Sequence, residues 1–253
     1  LAALVEFRGV ACRIGGREIL RGIDLSVEEG ETLVLLGRSG SGKTTLLKTA
    51  IRLIEPTAGE VWFEGQRATD WDPIRLRRRT GYVIQEGGLF PHATVAQNVG
   101  LVPKLEGWPP ERIRARTMEL LDIVGLPAAV YASRYPRQLS GGEKQRAGIA
   151  RALAADPPVL LLDEPFAALD PVTRFEMQRH FIGLRQAFRK TALFVTHDIR
   201  EALMLATRIA LLTDGRLETV ARPEEFLRSR SPEASAFLAT LGGERCQPTH
   251  VAL

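Results

Sequence analysis

"TLVLLGRSGSGKTT", Thr32–Thr45, is the stretch that decides how this chain folds. An apolar run reads into a glycine-rich turn, and the turn reads into a helical pattern, "KTTLLKTAIRLI", Lys43–Ile54. Residues Gly37–Thr44 fit G-x-x-x-x-G-K-[ST] with a strand before and a helix behind, the context in which that spacing becomes a phosphate-binding loop. Glycines at 37, 40 and 42 let backbone N–H groups turn inward and close on phosphate oxygens, and the helix N-terminus adds partial positive charge. Lys43 is placed to reach β and γ oxygens, and Thr44 offers a hydroxyl to Mg²⁺. Gly37, Arg38, Ser39, Gly40, Ser41, Gly42, Lys43, Thr44 and Thr45 therefore form the candidate nucleotide cradle. The plainer alternative is a Gly/Ser-rich turn, which the flanking strand and helix disfavour.

A companion strand lies far downstream. "VLLLDE", Val159–Glu164, is apolar throughout and ends in two acids, and in a parallel sheet ligands collect at the carboxyl ends of strands. Asp163 is then the residue to hold Mg²⁺, directly or through water, and Glu164 the general base for an attacking water. Acids at a strand end otherwise simply meet solvent; beside a phosphate loop the chemical reading prevails. A second anion site stands in "LSGGEKQR", Leu139–Arg146, where a serine and two glycines precede a helical segment. One chain thus carries two phosphate cradles.

Outward from these motifs the pattern is α/β. "ALVEFRGV" and "GGREILRGIDLSV" read as strands, "EPTAGEVWFEG" as turn and strand, and residues 95–155 as a helical insertion containing "PERIRARTMELLDIVGL" and "GGEKQRAGIARALAAD". "TRFEMQRHFIGLRQAFRK" reads as a helix between the strands "VLLLD" and "TALFVTHD", a βαβ crossover, and "RIALLTDGRL" as a further strand. The expectation is one domain over 1–253: a mostly parallel core from about 1–94 and 156–242 with an antiparallel N-terminal β part, a helical subdomain at 95–155, and an aperiodic tail at 243–253.

Composition is that of a globular chain: 253 residues, 45% apolar and 25% charged, with 34 Lys plus Arg against 30 Asp plus Glu for a net +4. That mild basic excess demands neither nucleic acid nor lipid. Cys12 and Cys246 form no CxxC or disulfide framework, so a reducing cytosol is expected. No apolar run reaches the ~18 residues of a membrane span, and "LAALVEFRGV" is broken by Glu6 and Arg8, so membrane attachment is expected through a partner.

The ordered set of motifs resembles the ATPase subunit of an ATP-binding cassette (ABC) transporter, from about Leu4 to Gly242. It consists of the phosphate loop, Gln85 in "GYVIQEGGLF", the signature "LSGGEKQR", "LLLDEP", the "AALD" turn ending in Asp170, and His197 in "FVTHD". The resemblance implies a P-loop NTPase fold of ABC type, ATP and Mg²⁺ as ligands, and a nucleotide-sandwich dimer. It assigns Gln85 to Mg²⁺ and the attacking water, His197 to the γ-phosphate and to positioning Glu164, and Asp170 to a partner subunit. Read alone, Gln85 is a surface amide, His197 a histidine at a strand end, and Asp170 a cap for the helix entered through Pro171. It also implies that Ser140, Gly141, Gly142 and Glu143 act on the nucleotide of the other subunit. Two departures stand out. Ile14 occupies the position of an adenine-stacking aromatic, and Glu143 replaces the usual glutamine of the signature, with activity expected to survive.

Finer text, "GYVIQEGGLFPHATVAQNV", "VPKLEGW" and "ARALAADPPVLLLDEPFAALDPVTR", is similar to the ATPases of osmoprotectant importers for glycine betaine, choline or carnitine. The implied partners are a second copy or a paralogous ATPase, integral membrane permeases and, indirectly, a substrate-binding protein, at the cytoplasmic face of the cell membrane and without nucleic acid. Many such ATPases carry a pair of nucleotide-sensing domains after the core, and gating through such a tail is not expected here. "GLFPHATV" is expected to expose Leu89 and Phe90 toward the permease, and "RLRRR", Arg75–Arg79, reads as a solvated face with a membrane partner as the second choice. An importer for another solute, a lipid-trafficking ATPase and a soluble ATPase of translation or repair are the alternatives.

Overall fold

The structure is a computed structural model and describes residues 3–84, 88–188 and 190–242. A long hairpin opens it, β1 (Ala3–Ile14) and β2 (Arg17–Glu28), and β3 (Thr32–Leu36) then delivers the glycine loop to α1 (Lys43–Thr49). Next come β4 (Ala58–Phe63), β5 (Gln66–Arg67), α2 (Pro73–Arg78) and β6 (Thr80–Val83). Helices α3 (Val95–Val99), α4 (Leu101–Leu105), α5 (Pro110–Ile123), α6 (Ala128–Tyr131) and α7 (Gly141–Leu153) lead to β7 (Val159–Asp163). The remainder runs α8 (Pro171–Phe188), β8 (Thr191–Thr196), α9 (Ile199–Leu205), β9 (Arg208–Thr213), β10 (Arg216–Ala221), α10 (Pro223–Phe226) and α11 (Pro232–Gly242).

Two sheets result among the described residues. One is four-stranded and antiparallel, in the order β2-β1-β4-β5; the other is six-stranded, in the order β10-β9-β3-β8-β7-β6. In the larger sheet all pairs are parallel except β10 with β9. Register aligns the carboxyl ends: Leu36 sits beside Thr196, and Asp163 beside Val195. The glycine loop, the acids and His197 therefore leave the sheet at one edge.

The apolar strands are buried on both faces, and their period of two splits them between two cores. Val34, Leu36, Leu160, Leu162, Phe194 and Leu211 face a core shared with the helices, including Val99, Leu121, Val124 and Ala150. Leu33, Leu35, Leu161, Leu193, Val195 and Leu212 face the antiparallel sheet and α1, meeting Phe7, Ile23, Leu46 and Phe63. The helical insertion thus shares its apolar cluster with the parallel sheet.

Several local expectations change. The helical pattern after the glycine loop ends at Thr49, not Ile54; Arg52 is left-handed, φ 54°, and the chain turns so that Ile51 and Ile54 join the inter-sheet core. "RIALLTDGRL" is two strands, because Asp214 and Gly215, with φ of 47° and 76°, make a two-residue turn that folds β10 back on β9. Leu89 is half-buried against the helical core and not exposed, while Phe90 is 45% exposed. The cause is the buried Asn98, which accepts from the Phe90 N–H at 2.7 Å and donates to the carbonyls of Phe90 and Ala93, drawing the loop onto α3. The basic run keeps its solvated face, with Arg75, Arg77 and Arg79 exposed, while Arg79 forks onto Glu64 at 2.7 and 2.9 Å, Arg77 reaches the carbonyls of Ile51 and Arg52, and Arg78 that of Leu105. Cys12 is buried and free, and Cys246 lies outside the described residues. Among the described residues no helix is long and apolar enough to cross a membrane.

Candidate functional site

At the carboxyl edge of the larger sheet the loop from Gly37 wraps a cavity of about 360 Å³ lined by Ile19, Ser39, Gly40, Lys43, Thr44, Thr45 and Glu164, among others. Two glycines are required there. A Cβ at Gly37 would stand 2.3 Å from the Leu212 carbonyl, and Gly42, the N-cap of α1, has φ 104°. No side chain caps α1, so its first N–H groups lack that acceptor, and Lys43, Thr44 and Thr45, the residues that carry them, line the cavity.

Lys43 is buried and donates to the carbonyls of Gly37 and Arg38 at 2.7 and 2.8 Å. Burial pushes its ammonium below the ordinary lysine value, and the carboxylates of Glu164 and Asp163 partly restore it. Such an ammonium, held by its own loop, gains from an anion entering the cavity. Thr44 donates to Asp163 at 2.8 Å, bringing hydroxyl and carboxylate together from α1 and β7. Burial raises the Asp163 carboxyl, against the Thr44 hydrogen bond and the charges of Lys48 and Lys43, while Glu164 adds to the rise. A buried carboxylate with a hydroxyl beside it suits Mg²⁺, which takes one or two protein oxygens and completes its shell with water and phosphate. No group of three or more His, Cys, Asp or Glu able to hold a metal occurs among the described residues, so phosphate or water oxygens would have to finish that shell.

Glu164 follows directly, in a left-handed conformation with φ 46°, and its N–H is held by the Val195 carbonyl at 3.1 Å. A non-glycine residue kept at positive φ costs of order 1 kcal/mol and recurs where geometry serves function. From this conformation Glu164 Oε2 stands 3.2 Å from His197 Nδ1, joining the ends of β7 and β8. Asp170 caps α8, accepting from the N–H groups of Val172 and Thr173 at 3.1 and 3.0 Å. Hydrogen bonds, the Thr173 hydroxyl's first, hold its carboxyl below the usual range.

The signature is built differently. Ser140 accepts from the Glu143 N–H at 3.2 Å and its own N–H donates to Glu143 at 2.7 Å, a capping box that opens α7. Tyr131 donates to the same carboxylate at 2.7 Å. The Tyr131 bond first, then the Ser140 backbone bond, holds the Glu143 carboxyl low. A Cβ on Gly142 would meet the Leu169 side chain at 3.1 Å, so the signature lies against the turn that carries Asp170, and none of Ser140, Gly141, Gly142 or Glu143 lines the phosphate cavity.

Gln85 lies outside the described residues, but its neighbours are held by the signature helix, Ile84 through its carbonyl from Gln145 and Gly88 through its carbonyl from Arg151. Ile14 is half-exposed at the end of β1, and Ile19 of β2 forms the apolar wall of the cavity instead. Arg38 turns its guanidinium to Glu233 on α11, at 2.5 and 3.2 Å, while its carbonyl serves Lys43. Nothing in the sequence marks that pair, 195 positions apart, whereas the Ser-x-x-Glu spacing of the capping box is visible at 140–143.

Comparison with known proteins agrees with this geometry. The family described as "ABC transporter" matches residues 20–167. The glycine betaine/carnitine/choline transport ATP-binding protein OpuCA of Bacillus subtilis is 48% identical over 219 residues, covering 87% of this chain and 57% of that protein. The osmoprotectant import ATP-binding protein OsmV of Salmonella typhimurium is 46% identical over 222 residues, 88% of this chain and 57% of that one. The chain thus spans little more than half the length of these relatives. The dimeric, post-hydrolysis structure of the ATP-binding cassette MJ0796 bound to ADP and Pi is similar at 35% identity with a TM-score of 0.80, over 87% of this chain and 98% of that one. With the glycine loop, the Thr44–Asp163 pair and the Glu164–His197 pair at one sheet edge, the chain belongs to the ABC transporter ATPase family.

Proposed function

We propose that this chain is the ATP-hydrolysing subunit of an ABC importer, peripheral to the cytoplasmic face of the membrane, whose cargo is an osmoprotectant of the quaternary-amine class. The observation that carries the hydrolytic reading is the Glu164–His197 contact of 3.2 Å beside the Lys43 cradle. The names of OpuCA and OsmV support the cargo class.

In this reading Lys43 exchanges its two carbonyl acceptors for β and γ oxygens of ATP, and the uncapped N–H groups of α1 complete the cradle. Glu164 orients the attacking water and accepts its proton. His197 keeps that carboxylate aimed and meets the γ-phosphate. Thr44, Asp163 and Gln85 would hold Mg²⁺, which supplies charge neutralisation on the phosphate oxygens. The signature of one subunit closes on the nucleotide of another, with Asp170 on the same face, and permeases meet the exposed Phe90 loop. ATP turnover by the purified chain with Mg²⁺ tests the chemistry, and uptake of labelled glycine betaine and choline by cells with and without the gene tests the cargo. Wild-type turnover at the level of Lys43→Ala would overturn the first part, and unchanged uptake of both solutes the second.

A further inference from the structure

Glu201 is a buried carboxylate, 7% exposed, with no part in the chemistry above. It lies in the first turn of α9 and accepts two hydrogen bonds, from the Thr196 hydroxyl at 2.7 Å and from the Gln178 amide at 3.1 Å. Withdrawing a carboxylate from water is costly, so its two donors define what it holds. Each is the first link of a path to a residue at the site.

The Thr196 hydroxyl, while donating to Glu201, accepts from the Asp198 N–H at 3.0 Å, and His197 is the one residue between them. The His197 peptide is therefore bracketed by a bond pair anchored on Glu201. Val195, one step earlier, holds the Glu164 N–H. On the other side Gln178 belongs to α8, whose first turn hangs on Asp170: the Asp170 carboxylate accepts from Val172 and Thr173, its carbonyl from Arg174, and the Arg174 guanidinium donates to the Leu169 carbonyl at 3.1 Å. Just over two turns of helix join Asp170 to Gln178.

We propose that Glu201 is a positioning residue that clamps α8, and with it Asp170, to the Thr196–Asp198 turn, so that the stance of His197 against Glu164 depends on where the Asp170 segment stands. A partner subunit pressing on Asp170 then has a buried, three-element route to the hydrolytic pair. The relevance of this clamp to turnover rests on the two-subunit hydrolytic reading above; its effect on His197 does not.

The test uses the full chain, nucleotide-free, with the imidazole ¹⁵N resonances of His197 as reporter, one of four histidines and assigned with His197→Gln. In Glu201→Ala the His197 resonances are expected to move, with kcat down about tenfold and ATP affinity changed less than about twofold. Glu201→Gln, whose amide oxygen still accepts from Thr196 and whose NH2 donates to the Gln178 amide once that amide turns its oxygen inward, is expected to keep the wild-type His197 spectrum and most of kcat. Thr196→Val, which removes only the linking hydroxyl, is expected to reproduce the Glu201→Ala spectrum in a folded chain. A His197 spectrum unmoved in both Glu201→Ala and Thr196→Val overturns the clamp, as does failure of both to fold, which would make the network one of stability alone. A wild-type chain without ATPase activity would leave the spectral outcome standing, so failure of the clamp and failure of the hydrolytic reading are told apart.

Discussion

The two anion cradles of this chain both stand at helix N-termini after glycine and serine, yet one is left open and the other is closed by its own side chains. At Gly42 the first N–H groups of α1 have no side-chain cap, and the buried Lys43 ammonium is held by the carbonyls of the preceding loop. At Ser140 a capping box and the Tyr131 hydroxyl engage the start of α7, and the first turn carries an acid. In the proposed reading the uncapped N-terminus with its lysine is finished by a polyphosphate held in the same chain. A capped, rigid N-terminus presents a preformed surface, suited to meeting a phosphate already held elsewhere.

The sharpest way to break the comparison is at the open cradle. Lys43→Ala is expected to lower ATP turnover by at least about 100-fold, read by phosphate release. Glu164→Gln keeps the cradle while removing the base, so turnover is expected to fall about 100- to 10,000-fold with ATP retained and a dimer eluting in ATP and Mg²⁺; a monomer under those conditions counts against the sandwich. At the closed cradle the change is smaller. Tyr131→Phe deletes the hydroxyl bond to Glu143 and is expected to cost about 1 kcal/mol of stability, measured by denaturant unfolding. Because the Glu143 carboxyl is held below its ordinary value, its contribution is complete above the ordinary glutamate range and is lost as pH falls through the lowered one. The gap between wild type and Tyr131→Phe therefore narrows below roughly pH 4. The smallest effect belongs to Ile14→Tyr, expected to tighten ATP by ~1 kcal/mol if the ring reaches the base; no change would fit a cavity wall made by Ile19 alone.

What could be read from the sequence followed from local chemistry. The glycine loop, the apolar strands and the acids after Leu162 each carry their own spacing, and the parallel order follows from strands that are apolar on both faces. The β9–β10 fold-back was present in Asp214–Gly215, but the apolar run before it hid the turn. Burial of Leu89 depends on Asn98 reaching back across the loop, and the Glu201 clamp on three elements meeting, neither of which has a local signature. The Arg38–Glu233 pair joins the glycine loop to α11, a contact that only the folded chain creates.

Whether the two cradles serve two different nucleotides is tested most directly by mixing. Lys43→Ala keeps the signature and loses the phosphate loop; Ser140→Arg does the reverse. With both chains also carrying Glu164→Gln, neither alone is expected to dimerise in ATP and Mg²⁺, while the mixture is expected to yield a heterodimer holding one ATP, resolved by size-exclusion with labelled nucleotide. If the mixture stays monomeric while Glu164→Gln alone dimerises, the two cradles of a chain act on one nucleotide, and the division of labour described here is wrong.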